Sequence, residues 1–98
     1  MEKIFEQFTG FQWDIGNIDK NRIRHNVENF ECEQIFFNRP LIVLDDPKHS
    51  VSEKRWVAFG KTDKDRYIVI IFTKRNNLIR IISAGDMNKR ERKFYHEK

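Results

Sequence analysis

Two arginines stand in stretches that are otherwise apolar: Arg55 in KRWVAFGK and Arg80 in LIRIISA. Alternate residues of a strand share a face. That puts Arg55 with Val57 and Phe59, and Arg80 with Leu78, Ile82 and Ala84. A guanidinium keeps its charge at any physiological pH and is costly to bury alone. Each arginine therefore needs a carboxylate, an anionic ligand or a sheet end that reaches water. Glu53, two residues before Arg55, falls on the same side of the same strand and offers an internal ion pair. The chemical alternative is a phosphate clamp of two arginines with a carboxylate beside it. Cleavage of RNA by its own 2′-hydroxyl asks for such parts: a base for the hydroxyl, positive charge on the phosphorane and an acid for the leaving oxygen.

Three histidines bear on that chemistry. His25 falls near the end of a first helix, where a cation is favoured by the helix dipole, so capping and acid–base work both suit it. His49 lies in the loop DDPKHS with Asp45 and Asp46, a set without strong metal-ligand spacing, and no metal site is expected. His96 sits in the tail. Cys32, the one cysteine, rules out an internal disulfide and suggests a reducing compartment. Its acidic neighbours in FECEQIFF suppress thiolate, so a nucleophilic role is not expected. The segment from Met87 to Phe94 carries Lys89, Arg90, Arg92 and Lys93, a rail for a phosphate backbone if it lies beside the strand arginines. Trp56 is the aromatic to test for base stacking, although most such residues are core or edge residues. Gly-rich phosphate loops, nucleophile elbows and zinc-finger spacings are absent from the sequence.

Elements must position these groups. At 98 residues the chain has room for one domain with one modest core. Residues 11–13 read as a short strand, with Asp14 as N-cap of a weak helix over 15–26, its apolar positions Ile15, Ile18 and Ile23 sparse and Gly16 unfavourable. A second helix is expected from Phe30 to Asn38, with Phe30 and Phe37 on one face and Pro40 ending it. Strands follow over 41–45, 54–61, 66–74 and 78–84, the last three as an antiparallel meander with turns at 62–65 and at Asn76-Asn77. YIVIIF, apolar on both faces, should be its central strand. A last helix should start near Asn88, where Glu91 completes a capping box, and dock Phe94 and Tyr95 on the sheet with its cations outward. Lys plus Arg number 19 against 15 Asp plus Glu, a net +4 that favours an anionic partner, nucleic acid first. No apolar run reaches membrane-spanning length and MEKIFEQFTG lacks a signal peptide's apolar stretch, so a cytoplasmic protein is expected.

In their order and spacing, FQWD, the Asn21 and His25 of NRIRHNV, DDPKHS, SEKRWVAFG and RIISA followed by KRERKFY resemble the BrnT family, ribonuclease toxins of bacterial type II toxin–antitoxin modules. The resemblance spans residues 11–96 of a single domain over 1–98. It implies an α+β fold similar to RelE-type toxins, with neither metal nor organic cofactor, into which the two N-terminal helices, the antiparallel meander and the basic C-terminal helix read above would fit. It implies an RNA substrate and neutralisation by a BrnA-like ribbon-helix-helix antitoxin, the complex binding operator DNA. Trp13, Asp14, Asn21 and His25 match the family's N-terminal pattern, Glu53 and Arg55 its E-x-R, Arg80 and Ser83 its RIISAR segment, and Arg92 and Tyr95 its final helix. With the residue reading above, the expected site is His25, Glu53, Arg55 and Arg80 for catalysis, with Lys89, Arg90, Arg92, Lys93 and Trp56 on the RNA. The family's S-A-R reads Ser83-Ala84-Gly85 here, its H-G-V reads His25-Asn26-Val27, and an early helix lysine is Asn17, with Lys20 nearby. The missing arginine opens an alternative, a weakened or inactive member that only binds nucleic acid or antitoxin. A third reading is a small basic adaptor for a protein partner.

Overall fold

The apolar run YIVIIF lies in the middle strand of the sheet. In the computed structural model, which describes residues 8–98, the elements run β1 (Gly10–Phe11), α1 (Lys20–His25), α2 (Asn29–Gln34), β2 (Ile42–Asp45), a 3-10 turn (Pro47–His49), β3 (Arg55–Lys61), β4 (Tyr67–Arg75), β5 (Leu78–Asp86) and α3 (Lys89–His96). The result is a small α+β fold whose five-stranded sheet has the order β1-β5-β4-β3-β2. The sheet is mixed and not wholly antiparallel, because β1 pairs parallel with β5 at Gly10↔Leu78 and Phe11↔Ile79. Asn76 and Asn77, at φ 51 and 65, supply the two positive angles that a tight β4–β5 turn needs.

One face of the sheet carries Ala58, Ile68, Ile70, Phe72, Ile79 and Ile81, buried against Val27, Cys32, Ile35 and Phe36 of the helical segment. Gly60 lets that segment come close, since a Cβ there would lie 2.9 Å from Ile35 Cβ and 3.1 Å from its carbonyl oxygen. On the other face α3 covers one end only, packing Tyr95 and Phe94 with Ile42, Phe59 and Met87. Phe94 meets Phe59 edge-on at 5.3 Å, and Tyr95 Oη donates to the Pro40 carbonyl at 2.5 Å. Asn88 and Glu91 form a reciprocal capping box that starts α3 where its first turn can reach the sheet.

The helices are shorter than their periodicity predicts. The helix expected over 15–26 forms only at Lys20–His25, because Asp19 at φ 60 interrupts it and Ile15, Ile18 and Ile23 are all exposed. Asp14 accordingly caps no helix: its carboxylate accepts the Gly16 N–H at 2.9 Å within a turn. The helix expected over 30–38 occupies Asn29–Gln34, begun by a Glu28–Glu31 capping box, and the chain turns after it. Phe30 and Phe37 are therefore 59% and 76% exposed instead of sharing a buried face, and Cys32, Ile35 and Phe36 fill the core in their place. A register shift between Ile71 and Phe72 changes the faces on β5 as well. Thr73 pairs with Arg80, Ile71 with Ser83 and Val69 with Gly85, so Arg80 shares a face with Ser83 and Gly85, not with Ile82 and Ala84.

Candidate functional site

Among the described residues β1 pairs with β5 only at Leu78 and Ile79, which leaves the rest of that edge without a described partner strand. Side chains from α1 and the turn before it supply the missing bonds. Asn17 Nδ2 donates to the Ile81 carbonyl at 3.2 Å, Lys20 Nζ to the Ile82 carbonyl at 2.9 Å, and Asn21 Oδ1 accepts the Ala84 N–H at 3.0 Å. Asn17 and Asn21 are buried doing so. This docking carries His25, the last residue of α1, to the sheet. Asn26, left-handed at φ 56, then closes the helix with bonds from its own N–H to the Arg22 carbonyl and from Val27 N–H to the Asn21 carbonyl. Asparagine tolerates this geometry, and that is how it stands where the resemblance leads one to expect glycine.

Arg66 fixes the same helix end from below. Its Nε and Nη2 hold the two Asp86 oxygens at 2.7 and 3.1 Å, and its Nη1 reaches Glu31 Oε1 at 3.1 Å and the Asn26 carbonyl at 2.8 Å. Nη2 also lies 3.4 Å from the His25 carbonyl. The guanidinium's hydrogen bonds hold the Asp86 carboxyl below the usual carboxylate range. Nothing in the apolar pattern marks Arg66, which stands just outside the strand.

The 3-10 turn presents His49. Its Nδ1 is 2.7 Å from Asp46 Oδ2. Asp46 is tied to the sheet by its N–H, which donates to the Arg55 carbonyl at 3.1 Å, and by its own carbonyl, which accepts the Ser50 hydroxyl at 2.6 Å. His25, His49, Asp46 and Glu91 wall a cleft of about 330 Å³ floored by Val57, Val69, Ile71, Ser83 and Gly85. This is the part of the sheet face that α3 leaves uncovered.

The next row along the same face, about 7 Å further by strand geometry, reads Arg55–Thr73–Arg80 in register. The two arginines thus flank one threonine, roughly 10 Å apart at the backbone from two strand spacings. Both have carboxylate partners. Arg80, 8% exposed, has Nη1 2.7 Å from Asp14 Oδ2. That hydrogen bond, helped by the one from Gly16, holds the Asp14 carboxyl below its usual range. Gly16 serves the pair: a Cβ there would stand 2.8 Å from Arg80 Nη2. Arg55 is looser, with Nη2 3.5 Å from Glu53 Oε1 and a buried Nε that has no hydrogen-bond partner. Glu53 Oε1 also accepts from Arg75 Nη2 at 3.3 Å, so it serves two arginines.

The remaining sequence-predicted residues divide. Lys89, Arg90, Arg92 and Lys93 are all exposed on α3, and Arg92 Nη1 donates to the Met87 carbonyl at 2.8 Å. Trp56 is not brought to the cleft. It lies on the face opposite Arg55, stacked on Phe72 at 5.5 Å with an interplanar angle of 21°. Trp13 belongs to the helical layer through a 2.7 Å bond from Nε1 to Glu33 Oε2. Cys32 is buried, and desolvation reinforced by Glu31 and Glu33 pushes its thiol up to about 12. His96 packs edge-on against Tyr67 at 4.8 Å. Sequence reasoning missed Arg66, the meeting of His49 and His25 at one cleft, and the Asp14–Arg80 bond; only the last carried a signal, the need of a strand arginine for a carboxylate.

No helix of the described residues is long and apolar enough to cross a membrane. A search of curated proteins returns no match to the chain. A family model does match: residues 13–91, which include the β5 docking residues, both walls of the cleft and the arginine row, fit the ribonuclease toxin BrnT of type II toxin–antitoxin systems, and the chain belongs to that family.

Proposed function

We propose that the cleft and the arginine row together form the RNA-cleaving site of an endoribonuclease toxin with a RelE-like fold that works without a metal. The observation that carries this reading is the Arg55–Thr73–Arg80 row bordering a cleft with a histidine in its wall. Arg55, held only loosely by Glu53 and part-exposed, takes the scissile phosphate and stabilises the charge of the phosphorane. Arg80 supplies positive potential from beneath while Asp14 keeps it in place. Glu53 orients Arg55 and Arg75. His25 takes part in proton transfer, and Lys89, Arg90, Arg92 and Lys93 hold flanking phosphates. Charge and protons thus both come from side chains.

The partner in this reading is a BrnA-like antitoxin with a ribbon-helix-helix part, the pair binding operator DNA, in the bacterial cytoplasm. An antitoxin that covers the cations of α3 should dissociate more readily as salt rises. Induced expression in bacteria tests the toxin. Growth arrest with loss of total RNA is expected from the wild type and not from Arg55→Ala; equal growth and intact RNA in both sink the reading. Gly85 favours a second reading, because the cleft floor lacks a guanidinium where the family resemblance implies one. In that case the parent is inert and Gly85→Arg gains toxicity.

A further inference from the structure

We infer that His49 is a catalytic residue paired with His25, and that the two imidazoles carry both proton transfers of RNA transphosphorylation. This rests on the ribonuclease reading above and adds to it a catalytic residue and the end groups its chemistry leaves. The two histidines come from different elements, one closing α1 and one in the 3-10 turn, yet both wall the same cleft. Asp46 occupies His49 Nδ1, which leaves Nε2 as the nitrogen open to a ligand. A carboxylate behind an imidazole fixes its tautomer and orientation. His25 stands above the floor, with its ring Cγ 3.7 Å from the point a Cβ of Gly85 would occupy. The other acidic groups nearby are already engaged. Glu53 holds Arg55 and Arg75, and Glu91 Oε1 accepts the Asn88 N–H of the α3 cap.

One neutral imidazole takes the proton of the ribose 2′-hydroxyl as the 2′-oxygen bonds to phosphorus. The other, protonated, gives its proton to the 5′-oxygen as the P–O5′ bond breaks. The products are a 2′,3′-cyclic phosphate and a 5′-hydroxyl, and the two imidazoles exchange protonation states, to be reset by water. The charged groups around the two histidines are Asp46 and Lys48 beside His49, and Arg66, Asp86 and Glu91 near His25.

The experiment uses purified full-length protein and a synthetic RNA oligonucleotide, with end groups read by mass spectrometry and kcat/KM followed against pH. Wild type should leave cyclic-phosphate and 5′-hydroxyl ends with a bell-shaped profile. His49→Ala should lose about 10²–10⁴-fold in rate and one limb of the bell, with imidazole buffer restoring part of the rate. Asp46→Asn should lower the rate while keeping the same ends. His49→Ala cleaving within about threefold of wild type, or 5′-phosphate ends from wild type, overturns the proposal. If Arg55→Ala abolishes cleavage while His49→Ala does not, the ribonuclease reading stands and this one falls. A wild type that cuts no RNA ends both.

Discussion

Arg66→Ala removes the knot under the α1 terminus, and its cost can be worked from the contacts. The Asp86 pair is bidentate, at 2.7 and 3.1 Å, but Asp86 is 61% exposed, so solvent screening limits it to about 1 kcal/mol or less. The bond to Glu31 is part-buried and the one to the Asn26 carbonyl is exposed, so solvent holds each to about 1 kcal/mol, below the usual range for charged partners. The sum is about 2–3 kcal/mol, a large fraction of a small domain's stability. At roughly 4–8 °C per kcal/mol the melting temperature should fall by about 10–20 °C. Urea denaturation followed by circular dichroism measures this directly. Arg66→Lys should recover under half of the loss, because an ammonium cannot span Asp86, Glu31 and a carbonyl at once. RNA cleavage by Arg66→Ala should drop as well, at temperatures where it is still folded, since His25 loses its anchor. A stability change below about 0.5 kcal/mol, with cleavage intact, would refute the claim that Arg66 positions this end of the helix.

Asn21→Ala should cost about 1–3 kcal/mol by leaving the buried Ala84 N–H without its acceptor; a denaturation midpoint equal to wild type would contradict the edge-filling role. The Asp14 carboxyl titrates below its ordinary 3.8 in the folded chain, so its contribution is fully present above that value and is lost as pH falls through the lower folded value. Stability curves of wild type and Asp14→Asn should therefore converge on the acid side and separate toward neutrality; parallel curves would count against the pair. Cys32, with its thiol near 12, should resist iodoacetamide at pH 8 until urea unfolds the chain, and fast native labelling would contradict its burial.

Where local chemistry decides, the sequence was readable. The alternating apolar residues of β3 to β5, the positive φ angles of Asn76-Asn77 and the capping box of Asn88 and Glu91 are each written in a few adjacent residues. The helices read poorly because their stability comes from docking: α1 has hardly any apolar face and is held by Asn17, Lys20 and Asn21 reaching the β5 edge. The shift at Ile71/Phe72 follows from how two strands meet, and period-two counting carried straight through it placed Ile82 and Ala84 beside Arg80. Within the candidate site, the need of Arg55 and Arg80 for carboxylates was legible from charge in an apolar strand, and Glu53 was named. Asp14, 66 residues from Arg80, was read as a helix cap, because turn and cap use the same residue type. That His25 and His49 line one cleft depends on where a six-residue helix and a 3-10 turn end over one face of the sheet, and no spacing in the chain reports that.

The central claim is that guanidinium charge beside the cleft takes the place of a metal on the RNA phosphate. The most direct measurement is steady-state cleavage of a defined RNA by purified wild type and Arg55→Ala, both with excess chelator. Wild type should retain its full rate, and Arg55→Ala should lose about 10²–10³-fold in kcat/KM, the scale of removing one stabilising donor. A wild-type rate that collapses with chelator, or an Arg55→Ala variant that cleaves as fast as its parent, would contradict the account.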